Sequence, residues 1–276
     1  MTIVDAQIHV WSPDLSTRPW PPGRTVHAHG PALAPEQVLQ VMDDAGVARA
    51  VLVPPSWIGD DNTDALDAAR RWPDRFAVMG RFDPRAPDAR ARLERWREQP
   101  GMRGIRLTFH LPLWASWLTD GSLDWFWAAC EALGLPLMIF VPGQVPAVAP
   151  IAARHPRLRL ILDHLARRLG TRDAEAFADL DEVLALARYP NVAVKVSALP
   201  CYTSEPFPFP GLEAPLRRVW EAFGARRMLW GTDYSRLPVP YRDAVRHARE
   251  GMTFLSPAER EWVLGRACAE WIDWPL

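Results

Sequence analysis

The sequence predicts an α/β fold in which eight parallel strands alternate with helices and close into a (β/α)8, or TIM, barrel. Short apolar runs recur along the chain, and a stretch with helical periodicity follows each of them. The runs are apolar almost throughout, which is typical of parallel strands covered on both faces. Barrels of this kind are commonly single domains of about 250 residues. We therefore treat all 276 residues as one domain.

Each strand is predicted from one apolar run, and each helix from the segment that follows. The predicted strands are 3–11, 48–54, 76–80, 102–107, 135–141, 158–162, 192–196 and 228–231. The predicted helices are 35–46, 63–72, 87–98, 124–132, 145–155, 174–187, 212–223, 258–264 and 267–272. Pro35 in the first turn and Gly46 at the end delimit the first helix. His247 falls in another helical stretch, where we expect it on the surface.

One long loop, residues 12–35, separates the first strand from the first helix. It is rich in Pro and Gly, which excludes a helix. We expect this loop to cover the barrel mouth, with His27 and His29 exposed in it.

Composition and charge exclude several classes of protein. The net charge of -1 gives no basic surface for nucleic acid. No run of about 18 apolar residues occurs, so we expect no membrane partner and a cytoplasmic protein. The three cysteines are widely separated, which favours neither a disulfide framework nor a zinc knuckle. Homo-oligomerisation stays open.

Polar side chains gather at the carboxyl ends of the predicted strands. In a (β/α)8 barrel the chemistry lies at those ends, so these residues are candidates for one pocket. They are Gln7, His9, Arg106, His164, Lys195, Ser197 and Asp233.

Asp233, His164 and His9 are the candidate catalytic residues. Asp233 follows the last strand and a tight turn, where a carboxylate can act as general base toward water. The alternative for Asp233 is a cap on the next helix. The alternative for His164 is a structural hydrogen bond to Asp163, and His9 has a similar structural alternative.

Arg106 is the candidate for binding an anionic substrate. A charge inside a strand must be paired or directed at an anion, and a guanidinium suits a carboxylate. A structural salt bridge is the alternative, and Lys195 is equally open between an ion pair and a site residue. Aromatic and histidine side chains are candidates for the pocket wall, although each alone is more often packing: Trp11, Trp57, His110, Trp114, Trp117 and Tyr202.

Five segments, in order and spacing, resemble the amidohydrolase-related proteins. They are 5–11, Gly104-Ile105-Arg106, Leu162-Asp163-His164, 194–197 and Trp230-Gly231-Thr232-Asp233. The branch that the chain resembles includes 2-pyrone-4,6-dicarboxylate lactonase and other lactonases. The resemblance extends over nearly the whole chain and implies a hydrolase on a (β/α)8 barrel.

The resemblance also implies a choice between a mononuclear metal enzyme and a metal-independent lactonase. A metal site of this type needs two His on strand one and a His on strand five, but this chain has Gln7 and an apolar strand five. A neutral amide oxygen is a poorer zinc ligand than imidazole. We therefore expect no cofactor. The alternative is one divalent metal such as zinc, held by His9, His164 and Asp233.

Without a metal, the implied reaction is hydrolysis of a lactone or related activated ester. Asp233 would take a proton from water, while His9 and His164 donate to the carbonyl oxygen and Gln7 assists through its amide N–H2. Arg106, Trp11 and Tyr202 would contact the substrate, a small and anionic molecule. The rivals are a metal-dependent amidohydrolase or decarboxylase on the same barrel, and a barrel that only binds a small molecule.

Overall fold

The strands form one parallel sheet that curls into a nearly closed barrel. The structure is a computed structural model and describes residues 1–20, 30–110 and 112–276. Within these residues, eight strands pair in chain order. They are β1 Val4–Ile8, β2 Arg49–Leu52, β3 Phe76–Arg81, β4 Met102–Thr108, β5 Leu137–Phe140, β6 Leu160–Leu162, β7 Val192–Ser197 and β8 Met228–Gly231. The predicted fold class is confirmed.

The helices lie between the strands and cover the outside of the barrel. The α-helices are α1 Pro35–Ala45, α2 Thr63–Arg71, α3 Ala89–Glu94, α4 Pro112–Ala115, α5 Asp124–Ala132, α6 Val148–Arg154, α7 Asp173–Ala176, α8 Leu180–Leu184, α9 Glu213–Phe223, α10 Tyr241–Glu250, α11 Pro257–Glu261 and α12 Ala267–Trp271. Gly46 ends α1 in the left-handed conformation, as the sequence predicts. No helix in the described part of the chain is long and apolar enough to cross a membrane.

Apolar side chains fill the barrel interior below the candidate site. One buried cluster comes from the strands themselves: Val4, Ala6, Val51, Val53, Ala77, Met79, Met138, Ile161, Ala193 and Leu229. A second, larger cluster packs the outer faces of the strands against the helices. Because the interior is filled with apolar groups, the polar side chains are confined to the carboxyl ends of the strands.

The barrel closes where β8 meets β1. The Thr232 amide and hydroxyl donate to the Asp5 carboxylate over 2.8 and 2.5 Å, and the Tyr241 hydroxyl donates to it over 3.0 Å. A Cβ on Gly231 would lie 3.0 Å from the Gln7 amide nitrogen, so only glycine fits comfortably at this crossing. These contacts hold the last strand against the first.

Several predicted boundaries differ from the structure. Strands β3, β4 and β7 each run one residue further than predicted, to Arg81, Thr108 and Ser197. Strand β1 ends at Ile8, so His9 and Trp11 belong to the loop above it. His27 and His29 lie outside the described residues.

The predicted helix 174–187 is divided into short pieces. The Arg167 guanidinium donates to the Ala176 carbonyl over 2.7 Å, and a continuing helix would need that carbonyl for its own hydrogen bond. Arg167 also pairs with Asp179 at the start of α8. The surface position expected for His247 is wrong, because its ring is buried against Phe209.

Candidate active site

The structure brings the three predicted catalytic side chains together at the carboxyl ends of β1, β6 and β8. His9 Nε2 lies 2.9 Å from Asp233 Oδ1, and His164 Nε2 lies 3.6 Å from Asp233 Oδ2. All three residues are buried. One carboxylate therefore sits between two imidazoles.

Left-handed turns present two of these side chains. His164 has φ 53° and Asp233 has φ 54°, a conformation that costs a non-glycine residue roughly 1 kcal/mol. The Asp233 amide donates to the Gln7 carbonyl over 2.8 Å, which holds the turn. The Asp233 side chain makes no capping hydrogen bond to the following turn, so the interpretation as a helix cap is wrong. Such strain commonly marks functional sites.

His9 is engaged at both ring nitrogens. Its Nδ1 lies 2.5 Å from the Val53 carbonyl oxygen, which can only accept, so Nδ1 carries a proton. Its Nε2 lies 2.9 Å from Asp233 Oδ1. The His9 ring is therefore held between a backbone carbonyl and the carboxylate of the candidate base.

His164 is held differently from His9. Its Nδ1 lies 2.8 Å from the Ser197 hydroxyl, whereas the expected partner Asp163 bonds elsewhere. Burial lowers the pKa of His164 to about 3, so its ring is neutral near pH 7. The 3.6 Å between Nε2 and Asp233 is too long for a direct hydrogen bond. His164 Nε2 can therefore donate to a substrate oxygen that binds next to it.

Asp233 is ionised because of the groups that surround it. Burial alone would raise the pKa of Asp233, but interactions with His164, His9 and Arg236 hold it well below its usual value. Arg236 Nη1 lies 3.1 Å from Asp233 Oδ2. Burial alone would lower the pKa of Arg236, but the Asp233 carboxylate raises it above its usual value. Sequence reasoning missed Arg236. The available signal was its position three residues after Asp233, at the first turn beyond the strand.

Gln7 has a fixed orientation in a buried polar network. Lys195 Nζ can only donate, and it lies 2.6 Å from Gln7 Oε1 and 2.8 Å from Asp163 Oδ1. Arg106 Nε donates to Asp163 Oδ2 over 3.0 Å. Gln7 Nε2 is buried and finds no acceptor among the described residues. It can therefore donate to a bound molecule.

This network shows the partner of Arg106 and Lys195, each of which could form a structural ion pair or bind substrate. Both side chains pair with Asp163 in the structure, as a structural salt bridge requires. Burial lowers the pKa of Lys195, although Asp163 opposes that shift. Burial would raise the pKa of Asp163, but the two cations hold it below its usual value.

The two aromatic candidates for substrate contact are both buried. The Trp11 ring meets the Trp57 ring edge-on at 5.7 Å. The Tyr202 phenol ring lies 5.9 Å from the Arg236 guanidinium. Burial raises the pKa of Tyr202 to about 12. Tyr202 is therefore a neighbour of the arginine that pairs with Asp233.

A parallel barrel with a carboxylate after its last strand and imidazoles after two others defines a hydrolase of the amidohydrolase type. The family model for amidohydrolases matches residues 4–271. The chain belongs to the amidohydrolase family, and it is a hydrolase of the lactonase-like branch. The resemblance seen in the sequence is confirmed.

A curated relative supports this placement, and solved structures share the fold. The chain is 32% identical over 237 residues to an L-fucono-1,5-lactonase of Burkholderia ambifaria, covering 84% of this chain and 79% of the relative. A crystallised amidohydrolase of Burkholderia multivorans with bound zinc matches with a TM-score of 0.82 at 23% identity, covering all of both chains. A protein of Acinetobacter baumannii described as a probable 2-pyrone-4,6-dicarboxylic acid hydrolase, with citric acid bound, matches with a TM-score of 0.81 at 20% identity, covering 99% of this chain and all of its own.

The donor groups of this chain do not fit a metal ion. Both Asp233 oxygens already face cationic or imidazole groups, and Gln7 Oε1 accepts from Lys195. Within the described residues, no group of three or more His, Cys, Asp and Glu side chains has the arrangement of a metal site. A divalent ion bound through Gln7 Oε1 would have to displace the Lys195 ammonium group. We derive no chemical step through a metal.

Proposed function

We propose that the protein hydrolyses a small lactone that carries an anionic group, with Asp233 as general base. The single observation that carries this proposal is the ionised Asp233 carboxylate, buried between two imidazoles and held by Arg236. The relative from Burkholderia ambifaria acts, by its name, on a sugar lactone. We extend lactone hydrolysis, but not that sugar, to this chain.

The first step is the attack of water on the lactone carbonyl carbon. Asp233 takes one proton of the water as the new C–O bond forms. Two buried donors are positioned for the carbonyl oxygen as it gains negative charge. They are His164 Nε2, when the Ser197 hydroxyl donates to Nδ1, and Gln7 Nε2.

The second step opens the ring. The C–O bond of the lactone breaks, and the departing alkoxide takes the proton held by Asp233. The product is a hydroxy acid, and the carboxylate of Asp233 is restored. His9 stays in contact with Asp233 throughout. The geometry therefore favours a role for His9 in holding the base, and not the hydrogen bond to the carbonyl oxygen that the sequence predicted.

The depressed pKa of Asp233 has a cost, because it makes the carboxylate a weaker base. Lactones offset this cost, since their strained or activated ester carbonyl needs less assistance than an amide. An unactivated amide would need a stronger electrophile, such as a metal. Lactone hydrolysis is therefore the chemistry that this arrangement supports best.

Substituting Asp233 tests the proposal. Protein purified without added metal is assayed for acid release from a panel of five- and six-membered lactones, with and without a ring carboxylate. We expect Asp233→Asn to lower kcat by about 10²-fold or more, because the base is lost while the shape is kept. Asp74→Asn, on an exposed residue, is the matched control and should keep the full rate.

Two results would contradict the proposal. One is an Asp233→Asn variant that folds normally and hydrolyses lactones at the original rate. The other is a stoichiometric metal in the purified protein whose removal by a chelator abolishes turnover. The second result would favour the metal-dependent amidohydrolase or decarboxylase instead.

A further inference from the structure

A cavity of about 390 Å³ opens between the carboxyl ends of β3 and β4. Its wall includes Arg81, Thr108, Trp114 and Trp117, and also Asp60 and Asp83, neither of which is fully buried. The catalytic side chains do not line it. Arg81 and Arg106 are in register on the neighbouring strands, so the cavity adjoins the polar network around Asp163.

The Arg81 guanidinium is buried with part of its hydrogen-bonding capacity unused. Only 4% of the residue is exposed. Its Nε donates to the Gly59 carbonyl over 2.9 Å, and the Thr108 hydroxyl lies 3.5 Å from NH2. Its NH1 is buried and finds no acceptor among the described residues. A buried charged donor in a cavity wall points to a ligand that supplies the acceptor.

The buried charges beside this cavity do not balance. Arg81, Arg106 and Lys195 are all buried cations, and Asp163 is the one buried carboxylate that the structure pairs with any of them in the described residues. Asp60 is more exposed and its nearest oxygen stands 3.8 Å from Arg81 Nε. Burial, with a smaller contribution from Arg106, lowers the pKa of Arg81 to about 10. An anion bound here would offset the excess positive charge.

We propose that Arg81 is the specificity-determining residue of an anion-binding subsite between β3 and β4, which takes a carboxylate carried by the substrate. Arg106 lies next to it but has its Nε committed to Asp163. Trp114, whose ring lies 5.5 Å from the Arg81 guanidinium, forms an apolar wall that keeps water from the bound group. The proposal rests on the proposed lactone hydrolysis and names the class of lactone: one with a free carboxylate.

Two measurements on Arg81→Gln test this subsite. The first is the affinity of the unliganded protein for glutarate, measured by calorimetry, with neutral glutaramide for comparison. The second is kcat/KM for two lactones of the same ring size, one with and one without a carboxylate. We expect Arg81→Gln to weaken glutarate binding and to lower kcat/KM for the carboxylated lactone at least tenfold, while the neutral lactone changes less than about threefold.

Two further variants secure the interpretation. Arg85→Gln removes the same charge from the exposed rim of the cavity, and we expect it to change both measurements by less than about threefold. Arg81→Lys keeps the charge, so it should retain more glutarate binding than Arg81→Gln, and it serves as the test if Arg81→Gln does not fold.

An equal effect of Arg81→Gln on both lactones, or glutarate binding that is unchanged in the variant, would overturn the subsite. The subsite and the reaction fail separately. If the protein hydrolyses no lactone but binds glutarate through Arg81, the proposed function is wrong and the anion site stands. If it hydrolyses neutral and carboxylated lactones alike and binds no glutarate, the reaction stands and the site is wrong.

Discussion

Asp233 owes its charge state to the residues that touch it. His9 holds one oxygen and Arg236 the other, and both favour the ionised carboxylate. Arg236 is the simpler residue to remove, because its side chain is partly exposed and its loss leaves the two imidazoles in place. The effect of its removal can be read in the pH dependence of turnover.

Replacing Arg236 should move the acid limb of activity upward. Asp233 must be ionised to act as a base, so kcat/KM falls when the pH drops through its pKa, which the neighbours hold below the usual value. Arg236→Gln removes one positive charge, raises the pKa of Asp233 and brings the loss of activity to higher pH. Profiles of kcat/KM measured from about pH 4 to pH 8 check this.

The exposed Arg242 gives a matched control for the Arg236 variant. Its side chain is 79% exposed, so Arg242→Gln should leave the pH profile in place. An Arg236→Gln profile that coincides with that of the unmodified protein would show that Arg236 does not set the charge state of Asp233.

At the scale of elements, three strands are joined by one buried carboxylate. Asp163, directly after β6, accepts from Arg106 on β4 and Lys195 on β7, and Lys195 also reaches Gln7 on β1. All these side chains are almost completely removed from water. The network thus fixes the relative positions of four strand ends around the site.

Removing Lys195 should destabilise the protein strongly. Lys195→Met leaves Asp163 with one cation and Gln7 Oε1 without its donor, and breaking a buried pair in this way costs about 3–5 kcal/mol. Urea unfolding of both proteins measures the difference. Arg95→Ala, which breaks the exposed pair with Glu98, should cost less than about 1 kcal/mol and is the control. A similarly small cost for Lys195→Met would mean that the network is not structural.

Elements whose ends are set by the local sequence could be predicted closely, for a physical reason. Strand β8 has the predicted bounds, because a continuous apolar run ends abruptly at polar residues that cannot enter the barrel interior. The helix predicted at 174–187 is interrupted because Arg167, which precedes it in the sequence, donates to one of its backbone carbonyl groups. A sequence pattern shows which face of a helix is apolar. It does not show that a side chain from elsewhere will bind a backbone carbonyl that the helix needs.

The residues of the candidate site, like the helices and strands, could be predicted only where the local sequence decides. His9, His164 and Asp233 could be predicted because each stands at a strand end, and strand ends converge in a barrel. Arg81, one residue beyond the predicted end of strand three, was not predicted, because the sequence does not show that its guanidinium is buried with a donor unused. Partner choices, such as Ser197 for His164 and Asp163 for Lys195, depend on distances that no sequence pattern contains.

At the scale of the whole molecule, Asp5 joins the first strand to the last part of the chain. Its carboxylate accepts four hydrogen bonds, from the Gln7 amide, the Thr232 amide and hydroxyl, and the Tyr241 hydroxyl. This carboxylate is buried, so no water replaces a lost donor. The closure of the barrel depends on it.

Graded substitutions should show how much this closure contributes. Tyr241→Phe removes one of the four hydrogen bonds and should cost about 1 kcal/mol of unfolding free energy. Asp5→Ala removes all four and leaves buried donors unpaired, so we expect about 3 kcal/mol or more, with loss of activity because Asp233 shares the seam. Urea unfolding and lactone turnover measure the two effects. Equal costs for the two variants would show that Asp5 is not the centre of the closure.

The seam between β1 and β8 also sets the order of events when the chain is made. Asp5, Gln7 and His9 are synthesised long before Thr232, Asp233 and Tyr241, which lie far later along the chain. The base reaches His9 only after the last strand docks on the first. A nascent or truncated chain that ends before residue 233 carries both imidazoles but no base. The proposed hydrolytic activity therefore requires that β8 has been synthesised and has docked on β1.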